Sequence, residues 1–331
     1  MRTSAPVKIL LIGAGAVGQV FALHLRDGGA SIGFQLKPTR VGAAHRELPL
    51  YRHTLGRRHL ARLVLRDFEV RVDGEASAGD RWDQVWLCTS SQDLRSPWVD
   101  ELAATSDDAT VVAIQPDLED RAHLVARFGE ERLVQGLIGF LSYQAPLPEQ
   151  PEEGMTPPGV AYWLPPGMAT LFHGTPHRVG AVEDALRRGA FPARVRDGVP
   201  DTSALRSATT VPVVAGLELA GWSLAELGAG PELERALAAS RQALEVVDAV
   251  RGTRSAARRW VLRPALARAA LGVARGVTPF PLEAYLRFHF TKTAPQTRFL
   301  LDTWVARGAE RGIDTDPIAA LRAALPARGE P

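Results

Sequence analysis

Residues 7–12 (VKILLI) form a short unbroken apolar run that stops at a glycine, the pattern of a strand buried on both faces. Residues 16–27 follow with helical spacing, and residues 30–36 read as a second strand. Further strand patterns fall at 68–72, 84–88 and 110–114, with helical or loop stretches between them. Strands alternating with helices predict a parallel α/β sheet. Residues 133–143, 160–164 and 168–173 read as later strands or hairpins. Seven prolines between Pro146 and Pro166 predict an irregular surface loop there. From about residue 201 the chain turns rich in alanine and leucine. Helical periodicity covers 202–227, 231–251, 254–274, 281–293, 296–311 and 316–324, with Pro231 and Pro317 at first-turn positions. The pattern therefore predicts an N-terminal α/β domain over 1–198 and an all-helical domain over 199–331.

Composition narrows the function classes. The chain has 331 residues, 46% hydrophobic and 23% charged, enough for two cores and too apolar for bulk disorder. No apolar run reaches the length of a membrane span. The start, MRTSAPVKILLIG, lacks the layout of a signal peptide, so a cytoplasmic location is expected. Cys88 is the single cysteine, which excludes an internal disulfide and a cysteine-based zinc site; it reads as packing. The net charge of +2 is too small to suggest a nucleic-acid partner. The arginine-rich stretch 46–62 reads as a solvated face, with Leu50, Leu55 and Leu60 packing against the sheet edge. No zinc-protease, nucleophile-elbow or Walker motif occurs, and no metal is expected. Only Lys8, Lys37 and Lys292 are lysines among 39 basic residues, so each lysine is a marked choice over arginine.

The turn Gly13-Ala14-Gly15-Ala16-Val17-Gly18 follows the first strand and opens the first helix. That setting is what a dinucleotide site needs. Gly13 permits the tight turn, Gly15 lets the backbone approach a pyrophosphate, and Gly18 allows close helix–strand packing. The helix N-terminus adds N–H donors and a positive dipole end. The second strand ends in Gln35-Leu36-Lys37-Pro38-Thr39-Arg40. An acid that would accept a ribose 2′-hydroxyl is missing, and Lys37 and Arg40 suit a 2′-phosphate, so NADP(H) is the expected cofactor. Thr89, Ser90, Ser91 and Gln92 follow the fourth strand of that sheet, and Gln115 follows the fifth, where ligands of open α/β sheets sit.

These residues, with the helical second half, resemble the ketopantoate reductases (2-dehydropantoate 2-reductases). The resemblance implies an N-terminal Rossmann-type doubly wound sheet and an all-helical C-terminal domain. It runs from about residue 7 to 325 and is loose after 140. The family opening, Gly-x-Gly-Ala-x-Gly, is matched with Ala16 in place, and Lys37 stands at the position of the family's 2′-phosphate arginine. Several positions depart. Gln92 is kept, but Thr89 replaces the family lysine; Gln115 is followed by Pro116-Asp117 instead of Asn-Gly. The general-acid lysine aligns with Arg206, the asparagine four residues on with Thr210, and the serine and glutamate that grip ketopantoate with Ala284 and Gln296. The resemblance thus implies the fold and the cofactor, with a substrate other than ketopantoate.

Reducing a carbonyl leaves charge on oxygen that a cation or proton donor must meet. Arg206 is a poor proton donor, because it keeps its proton, and reads as a carboxylate clamp. Tyr285, His289, Lys292 and Gln296 span only about 60° of an ideal helix, with Phe288, Phe290 and Phe299 to pack it down. Lys292 and His289 are the expected proton donor and anion anchor, each with a pKa drawn toward neutrality, and Gln296 and Thr210 join the catalytic set. A competing reading starts a new helix at 294, with Thr293-Ala-Pro295-Gln296 as a capping box; His289 is then a core residue and Gln296 structural. The expected activity is NADPH-dependent reduction of the C=O or C=N of a small molecule. A homodimer through the helical domain is a further expectation. A genuine 2-dehydropantoate 2-reductase and a non-catalytic NADP(H)-binding sensor stay open as alternatives.

Overall fold

The computed structural model describes residues 6–37, 47–54, 57–72, 81–148 and 154–326. The chain divides into two compact units: residues 1–115, 119–146 and 151–200, and residues 116–118, 147–150 and 201–331. Among the described residues no helix is long and apolar enough to cross a membrane, and no cluster of three or more His, Cys, Asp or Glu could hold a metal ion.

The first unit is built on the run Lys8–Ile12 (β1), which becomes an interior strand of an eight-stranded sheet. Ser31–Leu36 (β2) pairs with it in parallel on one side and Gln84–Leu87 (β6) on the other. Phe68–Val72 (β5) lies parallel beyond β2; Thr110–Ala113 (β7) and Leu133–Leu137 (β8) continue in parallel beyond β6. This is the doubly wound Rossmann order, in which the chain reverses direction across the sheet at β1 and β6. Thr170–His173 (β11) then runs antiparallel to β8, and Ala193–Val195 (β12) closes the edge. Strand residues alternate between two cores. Ile9 and Leu11 join Trp86, Phe34 and Phe172, while Leu10 and Ile12 join Val85, Leu87, Val99 and Leu124 on the other face. Helices Trp98–Thr105 (α2) and Asp120–Phe128 (α3) cover that second face.

A second sheet lies in the stretch read as a solvated face: among the described residues Leu48–Thr54 (β3) and Arg57–Leu65 (β4) pair as an antiparallel hairpin, on which Arg62 is exposed. Gly159–Trp163 (β10) lies parallel to β3, and Leu141–Ala145 (β9) completes the order β4-β3-β10-β9. Leu50 is buried in this sheet and shares one core with the large one; Leu60 is half-buried, and Leu55 lies outside the described residues. β10 also means that the proline-rich stretch is not loop throughout: Val160, Ala161 and Tyr162 are fully buried. The small sheet packs on Ala16–Asp27 (α1). Covered on both sides, α1 is buried without a break from Gly18 to Leu25. His24 is satisfied inside, its ring bonded to the Gly189 carbonyl (2.8 Å) and the Tyr162 hydroxyl (3.3 Å). Pro176–Arg188 (α4) packs beside α1, so tightly that a Cβ at Gly189 would overlap the His24 carbonyl.

The second unit is helical. The expected helix over 202–227 is two, Val199–Leu219 (α5) and Leu224–Ala229 (α6), parted where Gly221 and Trp222 take positive φ. Glu232–Arg251 (α7) agrees with expectation. The stretch 254–274 is also two helices, Ala256–Val261 (α8) and Pro264–Val277 (α9). Pro264 cannot continue α8 and holds Arg263 extended. Leu282–Lys292 (α10), Ala294–Ala309 (α11) and Asp316–Ala324 (α12) follow. Leu237, Leu244 and Val247 of α7 form its core with Leu300, Leu301 and Trp304 of α11 and Ile318 and Leu321 of α12. Leu118 joins this core, and Ser207 donates to the Pro116 carbonyl (3.1 Å).

Candidate active site

The glycine turn sits at the carboxyl end of β1, and its three glycines have three different physical reasons. Gly13 has φ +102°, with the Cys88 carbonyl against it. A Cβ at Gly18 would overlap the Gly13 carbonyl oxygen, so this glycine lets α1 close on β1. Gly15 has an ordinary φ of −70° and open space where a Cβ would project. Nothing among the described residues requires glycine there. The turn is braced by Gly13 N–H to the Gln35 carbonyl (3.0 Å) and by the Gln19 amide to the Ala14 carbonyl (2.9 Å). Ala14, Ala16 and Val17 pack on the core beneath, and the first-turn N–H groups of α1 have no partner within the helix.

The loop after β6 lies beside the turn and is locked from several directions. Gln115 is buried. Its amide donates to the carbonyls of Leu87 (2.6 Å) and Thr89 (3.0 Å), and its oxygen accepts from Ile114 N–H (3.0 Å). Ser91, fully buried, donates to Asp120 (2.7 Å), which Arg95 also meets at 2.6 Å. Gln92 precedes a short 3-10 turn, Asp93–Arg95. Ser90 donates to Asp93 (2.9 Å), and so does Lys37 (3.1 Å). Thr89 Oγ1 is a buried oxygen without a hydrogen-bond partner among the described residues, next to the Gly13 turn. Arg40 lies outside the described residues. Burial pushes the Cys88 thiol up to about 12, so it is a neutral packing group. The sequence reading missed Asp93, Arg95 and Asp120. Ser90-x-x-Asp93 has the spacing of a local side-chain turn, but nothing in the chain signals that Asp120 reaches Ser91.

In the helical unit the single polar stripe is not formed. α10 ends at Lys292 and α11 starts at Ala294, as the competing reading has it, so Gln296 belongs to another helix than His289. The capping-box bond is absent too, because Thr293 Oγ1 donates to the His289 carbonyl (3.1 Å). Pro295 near N1 has no N–H to satisfy and suffices to start α11. His289 stacks on Tyr285 with ring centroids 5.5 Å apart and meets the edge of Phe290 at 4.8 Å. Burial, then the neighbouring Lys292 charge, push its pKa down to about 4, away from neutrality rather than toward it. Lys292 itself is exposed. Arg206 and Thr210 are both exposed on α5, and Thr210 Oγ1 donates to the Arg206 carbonyl (2.9 Å). Arg206 keeps its charge throughout.

Buried histidines make stability sensitive to acid, His289 and His53 among them. His53, buried and bonded to the Tyr143 hydroxyl (2.8 Å), is also pushed down to about 4 by burial. From pH 6.5 down to about 4 the unfolded chain binds protons that the folded chain does not, so stability is complete above this window and falls through it. The melting temperature should drop between pH 6.5 and 4. His53→Gln should flatten that drop by on the order of 2 kcal/mol, read from melts across the pH series.

A polar cavity of about 320 Å³ lies at the opposite, amino-terminal ends of β6 and β7, lined by Arg81, Asp107, Asp108 and Arg178 among others. Asp83 lines it too, and Arg178 is bonded to Asp108 at 2.6 Å. It is far from the glycine turn.

Residues 9–147 match the family model described as ketopantoate reductase PanE/ApbA. No curated protein matches the sequence. Among solved structures, a 2-dehydropantoate 2-reductase from Geobacter metallireducens GS-15 superposes with a TM-score of 0.71 at 15% identity, over 96% of this chain and 99% of that one. A D-mandelate dehydrogenase solved with NADH and anilino(oxo)acetate gives 0.64 at 14% identity, over 96% of each chain. A ketopantoate reductase from Staphylococcus aureus, described as dimeric, gives 0.63 at 10% identity, over 96% of this chain and 97% of that one. These likenesses extend the fold over both units. The glycine turn, the strand order and the matched segment agree: over residues 9–147 this chain is similar to the ketopantoate reductase PanE/ApbA family.

Proposed function

We propose that this chain is an NADP(H)-dependent oxidoreductase that reduces the C=O, or C=N, of a small molecule other than ketopantoate. The observation that carries the reading is Gly15: a glycine at the N-terminus of a buried helix, where neither backbone angle nor packing calls for one. A pyrophosphate approaching the first turn of α1 supplies the missing reason. The orphaned Thr89 Oγ1 offers a further hydrogen bond beside it. Lys37 and Arg40 would meet the 2′-phosphate. Ser90, Ser91, Gln92 and Gln115 would shape the loops around the cofactor, Ser91 and Gln115 by bracing rather than by contact. When bound, the nicotinamide supplies the hydride.

In the helical domain, taken over 199–331, Arg206 is the permanent cation for a substrate carboxylate. Lys292 is the proton donor, an ammonium with a proton to give. His289, neutral at pH 7, can only accept or donate a hydrogen bond, so it positions rather than protonates. Gln296 and Thr210 are polar neighbours in this scheme. The test is loss of reduced-nicotinamide absorbance with a panel of 2-oxo acids, ketopantoate included, and cyclic imines. Turnover of a panel member well above ketopantoate supports the reading. Fast ketopantoate turnover that Lys292→Ala abolishes would make the chain a true 2-dehydropantoate 2-reductase. Binding without any turnover favours a sensor.

We also propose that the helical domain self-associates. Leu266, Ala270, Val273 and Val277 make one stripe on α9, a helix with no buried residue, and Val273 and Val277 are 62% and 51% exposed. The wild type should sediment as a dimer in the cytoplasm-like buffers used for assay, and Val273→Glu as a monomer with an unchanged melting temperature.

A further inference from the structure

Asp93 is a charge that the proposed function does not use. Lys37 follows β2 directly, and Asp93 follows β6 by a short loop. β2 and β6 flank β1 on its two sides, so the Lys37–Asp93 bond spans the carboxyl end of β1, above the glycine turn. In a doubly wound sheet the adenosine ribose sits at that end, beside the residue that follows β2. The carboxylate is held in place. One oxygen takes the Lys37 ammonium at 3.1 Å, and the other takes the Ser90 hydroxyl at 2.9 Å and the Ser90 N–H at 3.4 Å. Its backbone is pinned as well, because the Trp98 indole donates to the Asp93 carbonyl (3.0 Å). Burial opposes its ionisation, but the bonds from Lys37 and Ser90 outweigh it and leave the group anionic at neutral pH. Lys37 is 60% exposed and Asp93 34%, so an incoming ligand can reach and exchange the pair.

We propose that Asp93 sets coenzyme choice by competing with the 2′-phosphate for Lys37. The inference rests on the dinucleotide reading above. A 2′-phosphate must displace the carboxylate from the ammonium and then lie beside a fixed negative charge. A ribose with a free 2′-hydroxyl meets neither cost, and Asp93 can accept its hydrogen bond. Asp93 therefore narrows the preference for NADPH over NADH that Lys37 would otherwise give.

The test is equilibrium binding of NADPH and NADH, by quenching of protein fluorescence, to wild type, Asp93→Asn, Lys37→Gln and the double variant. Asp93→Asn should tighten NADPH roughly tenfold and change NADH less than about threefold. With Lys37→Gln already present, the gain should fall below about threefold. Equal tightening of both cofactors, or no change, overturns the proposal. Should Asp93→Asn fail to fold, wild type alone decides with adenosine 2′,5′-bisphosphate and 5′-AMP as probes. Affinities within about threefold support the proposal; a preference for the bisphosphate above roughly thirtyfold overturns it. If wild type binds none of the four, the dinucleotide reading itself fails. If it binds NADPH and ignores Asp93, only this inference does.

Discussion

Gly15→Val should remove dinucleotide binding and leave the melting temperature almost unchanged. The side chain would project into open space, so the fold has nothing to resist it. Its φ of −70° suits any residue. A branched side chain would nevertheless stand between the first-turn N–H groups of α1 and any pyrophosphate. Those N–H groups act only at hydrogen-bond distance, and a gap of one or two ångströms forfeits the charge-assisted bonds. We expect NADPH affinity to fall at least about a hundredfold, with a melting shift within about 2 °C. Binding titration and a thermal melt on one preparation check both halves. Retained affinity would mean that the turn does not hold a pyrophosphate.

The largest stability effect is expected at a residue far from that turn. Gly189 ends α4, and its missing side chain is where α4 meets the last turn of α1. A Cβ there would overlap the His24 carbonyl and come within 3.1 Å of the Gly28 N–H nitrogen. Gly28 mirrors it, since its own Cβ would overlap the Ala185 carbonyl. Both obstacles are backbone, so neither can swing aside. Gly189→Ala must push the helices apart, strain the His24 bond to the Gly189 carbonyl, and loosen the core around Phe191 and Val182. We expect a loss of about 3 kcal/mol or more, or roughly 6–12 °C in the unfolding of this unit. A change under about 1 °C would show that the helix pair is not a rigid contact. Gly180, whose Cβ would meet nothing, is the control on the same helix.

Much of this fold is legible in the sequence, for identifiable reasons. β1, α1 and β2 announce themselves because a fully buried parallel strand is a continuous apolar run and the glycine turn fixes the join. α12 is read to the residue because Pro317 marks its first turn. The β3–β4 hairpin is hidden because Arg52, His53, Arg57, Arg58, His59 and Arg62 break its alternation with long polar side chains. The split of 254–274 was signalled by Pro264 and lost under the surrounding alanines, which sustain helical periodicity through the break. The glycine turn could be found because it is local. The Ser91–Asp120–Arg95 cluster could not, because its members meet only through the sheet. The stripe from Tyr285 to Gln296 failed for a local reason, Pro295, and that reason was visible.

The small sheet changes what the family match means physically. β10 is one of its two central strands, joining β3 on one side and β9 on the other, and it begins at Gly159. The matched segment stops at residue 147. A fragment cut there keeps β9 and the β3–β4 hairpin but loses the strand that unites them, so α1 is left with an apolar flank facing water. β11, β12 and α4 go with it. The stretch that similarity delimits thus leaves the small sheet without its uniting strand. The helix that presents the glycine turn owes its rigidity to chain that the match does not include.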